Sequence, residues 1–345
     1  MPALVNESAS DLISGYHLAL LRPRSEQIMG GYLLRALQSK SLAYQFCIEA
    51  KGVTRYGLSH AGIKSIWILL PPIIEQTAIV RYLNYTTERI QSYINAKERL
   101  INLLEEQRQA IIQRAVTRGL DPNVRLKPSG IEWLGEVPVH WHIRRLKWLI
   151  RCRSGDGIST EDVASKKTIE KSFPVIGGNG TMGFGNSTNC NQIALAIGRV
   201  GALCGNVHII KPPVWITDNA LVISADLNLV SIEYLATILK TRNLNELADK
   251  TAQPLITGTR IKNEYIPFPP PPEQTAIVEY LEKATADIDS ATHRARREIE
   301  LLKEYHTRLS ADVVTGKLDV REAAFKLPEA HDELSISDKP ELQSD

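Results

Sequence analysis

A direct internal repeat constrains this 345-residue chain more than any other feature of its sequence. The segment PPIIEQTAIV at residues 71–80 returns as PPPPEQTAIV at residues 269–278, which is a shift of 198 positions. The match continues without a gap to residues 121 and 319, and 22 of the 51 aligned positions are identical. Such identity at a fixed spacing predicts a structural unit of about 200 residues that occurs twice.

Both copies of the repeated segment have the pattern of a long amphipathic helix. Their apolar residues recur at alternating steps of three and four, which is the 3.5-residue period of a coiled coil. Prolines are tolerated in the first turn of a helix, and Gly119 and Gly316 follow the last apolar positions as helix stops. The pattern therefore predicts helices over residues 75–116 and 273–314.

Neither helix can bury its apolar stripe alone, so we expect the two to pack on each other as an antiparallel pair with pseudo-twofold symmetry. Lys97, Arg108 and His306 interrupt the stripe, and polar residues at such positions fix the register of a coiled coil. The predicted packing residues are Leu83, Ile90, Ile101, Leu104, Ile111, Leu281, Ile288, Ile299, Leu302 and Leu309.

The segment between the two helices has the pattern of a mixed domain of strands, helices and polar loops. Trp133, Trp141 and Trp148 in its first part are expected to anchor it on its helix. Residues 1–70 repeat only the later half of such a domain: a strand at Gly15–Leu21, a helix and a closing strand. The first part of this copy, about 65 to 75 residues, is expected to be missing.

The predicted fold class is α+β, with mixed domains separated by two long antiparallel coiled-coil helices in an internal pseudo-twofold repeat. The predicted segments are a partial domain at 1–70, a first spacer helix at 71–121, a complete domain at 122–268, a second spacer helix at 269–320 and an acidic, disordered tail at 321–345.

Charge is distributed unevenly, although the net charge is only +2. Residues 321–345 contain seven acids and three bases, whereas residues 144–171 contain eight bases and four acids. A basic segment favours a polyanionic partner such as nucleic acid, although many such segments are only solvated surface. No apolar run reaches the roughly 18 residues of a membrane span. Four widely separated cysteines without zinc-ligand spacing are typical of a reduced, cytoplasmic protein.

Motifs for catalysis or cofactor binding are missing from the sequence. It has no GxxxxGKS/T phosphate loop, no GxGxxG opening a helix after a strand, and no serine or cysteine in a nucleophile elbow. The strand-like segments are nearly free of the Asp and Glu that a metal-dependent nuclease needs. We therefore expect no active site, no metal and no cofactor in this chain.

Binding is better supported than catalysis. Gly-rich loops let a backbone approach a partner closely, and Asn and Arg side chains hydrogen-bond to base edges. Other basic side chains position a protein on phosphates, although ordinary turns and a solvated basic strand would give the same pattern. The candidate DNA-binding residues are Arg144, Arg145, Lys147, Arg151, Arg153, Gly177, Gly178, Asn179, Asn186, Arg199 and Arg260.

The motifs taken together resemble one family. Two PPxxEQxxI helices, each ending in Val-Thr, flank a domain that opens with WLGEVPVHW and contains GGNG, IGRVGALCG and TDNALVI. This pattern is similar to the DNA-specificity subunits of type I restriction-modification enzymes, from about Gly15 to Val320. The resemblance implies two target-recognition domains that each read one half of a split DNA site, at a separation set by the two helices.

The resemblance also implies partners. Methylation subunits with S-adenosylmethionine, and restriction subunits with ATP and Mg²⁺, would join a specificity subunit that binds double-stranded DNA and has no cofactor or catalytic activity of its own. This chain departs from the family in its incomplete first recognition domain, so another copy or a separate chain could supply that part. Two alternatives stay open: a truncated or degenerate subunit that acts only as a protein scaffold, and an enzyme with an unrecognised site.

Overall fold

The computed structural model describes residues 2–5, 15, 18–52, 56–249 and 254–328. The chain divides into two compact units. The terminal unit combines residues 1–101 with residues 293–345, and the central unit comprises residues 102–292. Both long helices of the repeat cross from one unit into the other, so each unit contains a part of each helix.

The described residues contain eight α-helices and three short 3₁₀ helices. The α-helices are α1 (Gly30–Gln38), α2 (Lys40–Glu49), α3 (His60–Lys64), α4 (Ile73–Arg118), α5 (Ile232–Thr241), α6 (Gly258–Asn263), α7 (Pro271–Val314) and α8 (Arg321–Phe325). The 3₁₀ helices are Leu146–Trp148, Thr160–Asp162 and Leu244–Leu247.

All the strands among the described residues lie in the central unit. They are β1 (Leu126–Pro128), β2 (Glu136–Pro138), β3 (His142–Arg145), β4 (Ile150–Ser154), β5 (Phe173–Gly177), β6 (Gly180–Gly185), β7 (Ala194–Gly198), β8 (Val207–Ile210), β9 (Trp215–Ile216), β10 (Ala220–Ala225) and β11 (Tyr265–Phe268). The mixture of long helices and a mostly antiparallel set of strands confirms the predicted α+β class.

The long helices α4 and α7 confirm the two predicted helices and begin two residues earlier than predicted. Gly119 has φ +75° directly after α4, and Gly316 has φ +71° two residues after α7. This left-handed conformation is readily adopted only by glycine, and it ends a helix. The two glycines are therefore the helix stops that the sequence predicts.

In the terminal unit, α4 and α7 run antiparallel and share an apolar seam. Ile90, Ile94 and Ile101 form one buried cluster with Ala295 and Ile299. The contacts run in opposite directions along the two helices. Thr87 of α4 contacts His306 of α7, and Lys97, further along α4, contacts Glu298, which comes earlier in α7. The Lys97–Glu298 ion pair is 2.6 Å long. It gives the polar seam residue Lys97 a partner on the opposite helix.

The same relationship holds inside the central unit. Ala115 of α4 is buried in one core with Ile277 and Leu281 of α7. Arg108 Nε donates to Asp289 Oδ1 over 2.7 Å, which again joins a polar seam position to the opposite helix. An exposed pair of this kind contributes little to stability, so its main effect is on the register of the two helices.

The predicted packing residues fall into two groups by exposure. Seven of them are buried: Leu83, Ile90, Ile101, Leu281, Ile288, Ile299 and Leu309. Three are half-buried: Leu104, Ile111 and Leu302.

A tyrosine at the same place in both units displays the repeat in three dimensions. Tyr32 of α1 is fully buried, and its hydroxyl donates to the carbonyl oxygen of Leu69 over 2.7 Å. Tyr234 of α5 is fully buried, and its hydroxyl donates to the carbonyl oxygen of Pro267 over 3.1 Å. Each bond ties the short helix of a unit to the segment that leads into a long helix.

Two sheets form the body of the central unit. The four-stranded sheet has the order β4-β10-β7-β8, and all its pairs are antiparallel. One face packs on α5 through Leu195 and Ile223. The other face packs through Ala196 and Val222 on the three-stranded sheet β6-β5-β9. Strand β4 is thus one edge of the sheet, and it leads from the basic segment into the loops.

Two strand predictions for the first copy differ from the structure. Residues 18–21 are neither helix nor strand, and residues 16 and 17 of the predicted Gly15–Leu21 strand lie outside the described residues. Residues 66–70, the predicted closing strand, are also unpaired. In the second copy the equivalent strand β11 pairs with β3. The described residues of the terminal unit supply no strand to pair with, and an extended segment without a partner is not a strand.

The three tryptophans predicted as anchors have different surroundings. Trp141 is fully buried and Trp133 is half-buried, both in the core that α4 and α7 share with the central sheet. Trp148 is 72% exposed, so the prediction was wrong for this residue. The 3₁₀ helix at Leu146–Trp148 turns Leu146 into the core instead.

The segment predicted as an acidic tail begins with a helix. Arg321–Phe325 forms α8, whose Ala324 is buried. Just before it, Val320 belongs to the core of the terminal unit. Residues 329–345, which make up most of the predicted tail, lie outside the described residues.

Candidate nucleic-acid interface

A glycine-rich hairpin turn lies at the centre of the candidate site. Strands β5 and β6 pair up to Gly177 and Gly180, so Gly178 and Asn179 are the two residues of the turn. Gly180 has φ +99°. The turn packs tightly on the end of β7, because a Cβ at Gly198 would lie 2.5 Å from the carbonyl oxygen of Gly178. Only glycine at this position lets the two backbones approach so closely.

Strand β8 holds the other side of this turn. Asn206 Nδ2 donates to Asn179 Oδ1 over 3.1 Å, so one amide fixes the other at the tip of the hairpin. The His208 imidazole lies beside Gly180. Its burial, and then the positive charge of Lys240, lower the pKa of His208. The imidazole is therefore neutral near pH 7, and its Nε2 is buried without a hydrogen-bond partner among the described residues.

One cross-strand row of the four-stranded sheet joins this turn to the basic edge strand. Arg153 pairs with Val222, which pairs with Ala196, which pairs with His208. Directly paired residues point to the same face of an antiparallel sheet. Arg153 and His208 therefore share a face, and three strand spacings separate them by about 14 Å.

Two arginines meet at the end of β4. Arg153 donates to the carbonyl oxygens of Ser154 and Asn189, over 3.1 and 3.0 Å, and its Nη1 lies 3.5 Å from Asp156 Oδ2. Arg199, just after β7, donates from Nη1 to Ser154 Oγ over 3.2 Å. Most donors of Arg153 are thus used within the protein, whereas Arg199 has a single such bond among the described residues. Arg199 therefore has more unused guanidinium donors than Arg153, although its Nε is buried.

Asn189 holds the loops beneath these arginines. Its Nδ2 donates to Asp156 Oδ2 and to the carbonyl oxygen of Ile216, both over 2.8 Å. Its Oδ1 accepts from the Ile216 backbone N–H over 2.7 Å. An amide used in this way supports the site rather than reading a ligand. Asn186, after β6, is exposed.

The basic segment before β4 forms a second group of cations. Arg144 and Arg151 are exposed on β3 and β4. Arg145 lies over the Tyr265 ring at 4.9 Å, and Lys147 lies over the Trp148 ring at 4.8 Å. Arg145 and Tyr265 face each other directly across the β3–β11 pair.

Arg260, the last predicted DNA-binding residue, has partners within the protein. Its Nη1 donates to the carbonyl oxygen of Leu247 over 2.7 Å, and its Nη2 forms an ion pair with Asp249. The guanidinium therefore links α6 to the chain segment around residues 247–249. The structure brings together Arg153, Arg199, Gly177, Gly178 and Asn179, and it places Arg260 in a different set of contacts.

Ser154, Asp156, Asn206 and His208 belong to the site but were not predicted from the sequence. A signal for the last two exists, since Asn206 directly precedes β8 and His208 follows two positions later in that strand, and residues two apart in extended backbone point to the same side. Ser154 and Asp156 have no comparable pattern, because their role depends on Arg153 and Arg199, which reach them through folding alone.

Within the described ranges, no group of three or more His, Cys, Asp or Glu side chains is placed to hold a metal ion. None of the helices in that part of the chain combines the length and the apolar character needed to span a membrane.

Comparison with known proteins gives a consistent result. Residues 138–301 match the family described as type I restriction modification DNA specificity domain. The EcoprrI specificity subunit of a type I restriction enzyme from Escherichia coli is 30% identical over 148 residues, which are 43% of this chain and 37% of that protein. The match thus spans little more than a third of that relative. The putative type I restriction enzyme MjaX specificity subunit from Methanocaldococcus jannaschii is 25% identical over 323 residues, 90% of this chain and 73% of that protein.

A solved structure from work on complex assembly in a type I R-M system has the same fold. It superposes with a TM-score of 0.67 over 86% of this chain and 74% of that chain, at 17% sequence identity. At this identity the likeness concerns the fold alone.

Proposed function

We propose that this chain is a specificity subunit of a type I restriction-modification enzyme, and that its central unit reads a short double-stranded DNA sequence for that enzyme. The match of residues 138–301 to the specificity-domain family supports this proposal, as does the similarity to two curated specificity subunits. The observation on which this rests most is the surface that joins the Gly177–Gly180 turn to Arg199 and Arg153. A close backbone turn, two amides and two guanidinium groups are what base edges and phosphates require.

The partners follow from the same proposal. The chain would direct methylation and restriction subunits to the DNA site, and the antiparallel helices would hold two recognition surfaces at a fixed separation along a split target. S-adenosylmethionine, ATP and Mg²⁺ would be bound by those partner subunits. The chain itself would contribute recognition and no catalytic step.

A Gly198→Ala variant tests this proposal where the end of β7 packs most closely on the Gly177–Gly180 turn. The added methyl group would meet the carbonyl oxygens of Gly178 and Leu203 at 2.5 and 2.8 Å, so the turn must shift. We expect at least a tenfold loss of affinity for the DNA that the wild-type complex with a methylation subunit selects from random duplexes. Gly157→Ala is the matched control, because a Cβ there meets nothing within 4 Å.

The outcome distinguishes recognition from a scaffold role. If the wild-type complex assembles but enriches no sequence, the chain is a scaffold and the proposal fails. If Gly198→Ala keeps its fold and enriches the same sequence with equal affinity, the turn is not part of the reading surface.

A further inference from the structure

Two cation–aromatic pairs of the central unit have their cations only two residues apart in sequence. The Lys147 ammonium is 4.8 Å from the centre of the Trp148 ring, and the Arg145 guanidinium is 4.9 Å from that of Tyr265. Trp148 is 72% exposed and Tyr265 is 36% exposed. We call these four residues the aromatic patch.

The exposure of Trp148 has no explanation in the packing of the unit. Trp141, seven positions earlier, is fully buried and fills the core. Leu146, two positions before Trp148, is also fully buried. Nothing in the fold requires a large apolar side chain at position 148, and such side chains at a surface commonly mark an interaction site.

The cations around the patch lack acidic partners in the part of the chain that the structure describes. Among the described residues, Arg144, Arg145, Lys147 and Arg151 make no ion pair with an acidic side chain. The acid next to Tyr265 in sequence, Glu264, is bound by Arg242 over 2.7 Å. Four positive charges without an acidic partner among the described residues, beside exposed aromatic rings, suit a ligand with regularly spaced phosphates.

The patch is continuous with the candidate recognition surface along β4. Arg151 and Arg153 are two positions apart on this strand, so they share a face and lie about 7 Å from each other. Strand β4 as a whole spans about 13 Å. A duplex read at Arg153 and Arg199 would therefore pass the aromatic patch about four to five base pairs further along.

We propose that the aromatic patch is a second DNA contact, which binds the backbone beside the target without reading its sequence. Arg145 and Lys147 bind phosphates, while Trp148 and Tyr265 hold these cations in place and pack on the sugars of one strand. This inference rests on the proposed function, since it assumes that DNA occupies the neighbouring surface.

Trp148→Ala and the double variant Arg145→Gln with Lys147→Gln test the patch. In the complex with a methylation subunit, we expect Trp148→Ala to weaken binding about fivefold or more, equally for target and scrambled duplexes. The double variant should reduce the slope of log affinity against log salt by about 2, because each lost phosphate contact contributes about 0.9. Trp67→Ala is the matched control, since Trp67 is 85% exposed in the terminal unit and no cation stacks on it among the described residues.

The inference and the proposed function fail in different ways. Unchanged affinity and salt slope in the patch variants, with a wild-type complex that still prefers its target, would overturn the inference alone. Loss of complex assembly with DNA binding retained would also overturn it, because the patch would then contact a protein partner. A wild-type complex that binds target and scrambled duplexes equally would instead contradict the proposed function.

Discussion

Gln76 and Gln274 lie 198 residues apart and make the same three hydrogen bonds, each inside its own unit. Both side chains are fully buried at the start of a long helix. In the terminal unit, Gln76 Nε2 donates to the carbonyl oxygens of Pro71 and Gln27, both over 2.8 Å. Its Oε1 accepts from the Met29 backbone N–H, also over 2.8 Å.

In the central unit, Gln274 Nε2 donates to the carbonyl oxygens of Pro269 and Leu229, over 3.0 and 3.1 Å. Its Oε1 accepts from the Ser231 backbone N–H over 2.9 Å. The glutamine of the repeated PPxxEQ motif thus ties each long helix to the short helix that precedes it. This contact explains in physical terms why both copies contain the motif.

Replacing Gln274 with leucine should destabilise the central unit. The change leaves one buried N–H and two buried carbonyl groups without partners, and the expected loss in free energy of unfolding is about 2–4 kcal/mol. Urea unfolding followed by circular dichroism measures it. Gln107→Leu, at an exposed position of α4, is the control and should change the free energy by less than about 0.5 kcal/mol. Equal effects of the two substitutions would show that the buried hydrogen bonds are not stabilising.

Hydrophobic periodicity was enough to predict the helices and the seam, but not the buried glutamines. A polar residue next to a helix start has the same local pattern whether it is exposed or buried. Its burial depends on the Leu229–Ser231 segment, more than 40 residues away in sequence. The same reason explains the error at Trp148, since three tryptophans in one segment are equivalent until the fold decides which of them reach the core.

The seam of the terminal unit can be tested with two neighbouring residues of α7. Ile299 is 8% exposed and packs with Ile90 and Ile94, whereas Leu301 is 47% exposed. Ile299→Asp would bury a charge and should lower the thermal midpoint by several degrees or prevent folding. Leu301→Asp should leave the midpoint nearly unchanged. If both variants have the same thermal midpoint as the wild type, Ile299 is not part of a packed seam.

His306 should make the stability of the terminal unit depend on pH. Its burial, and then the charge of Arg35, lower its pKa in the folded protein. Thr87 Oγ1 donates its hydrogen to the carbonyl oxygen of Leu83, so it accepts from His306 Nε2 over 2.9 Å. Because the unfolded chain binds the proton more readily, this contribution is complete above about pH 6.5. It falls as the pH drops toward the lowered pKa of the folded state.

The measurement is urea unfolding between pH 5 and 8, with His306→Gln as the comparison. Glutamine can still donate to Thr87 but cannot be protonated, so the wild type should lose more stability than the variant as the pH falls. Parallel curves for the two proteins would rule out His306 as the titrating group.

The candidate site could be predicted only in part. Composition and glycine-rich motifs identified the segment, and the turn at Gly177–Gly180 and Arg199 lie together as a reading surface requires. The sequence could not distinguish Arg153, which is bonded to Ser154 and Asn189, from Arg199, which has one such bond among the described residues. Side chains of the same type acquire different roles from partners that only folding brings near.

The most direct test of the central claim is to sequence the methylated bases in cells that express this chain with its methylation subunit. The account predicts one short defined motif for the wild type, and for Arg199→Gln a motif that is lost or relaxed at one position. Arg99→Gln, an exposed arginine in the terminal unit, should leave the motif intact. An identical motif at equal occupancy with Arg199→Gln, or methylation without any motif in the wild type, would contradict the claim that this surface reads DNA.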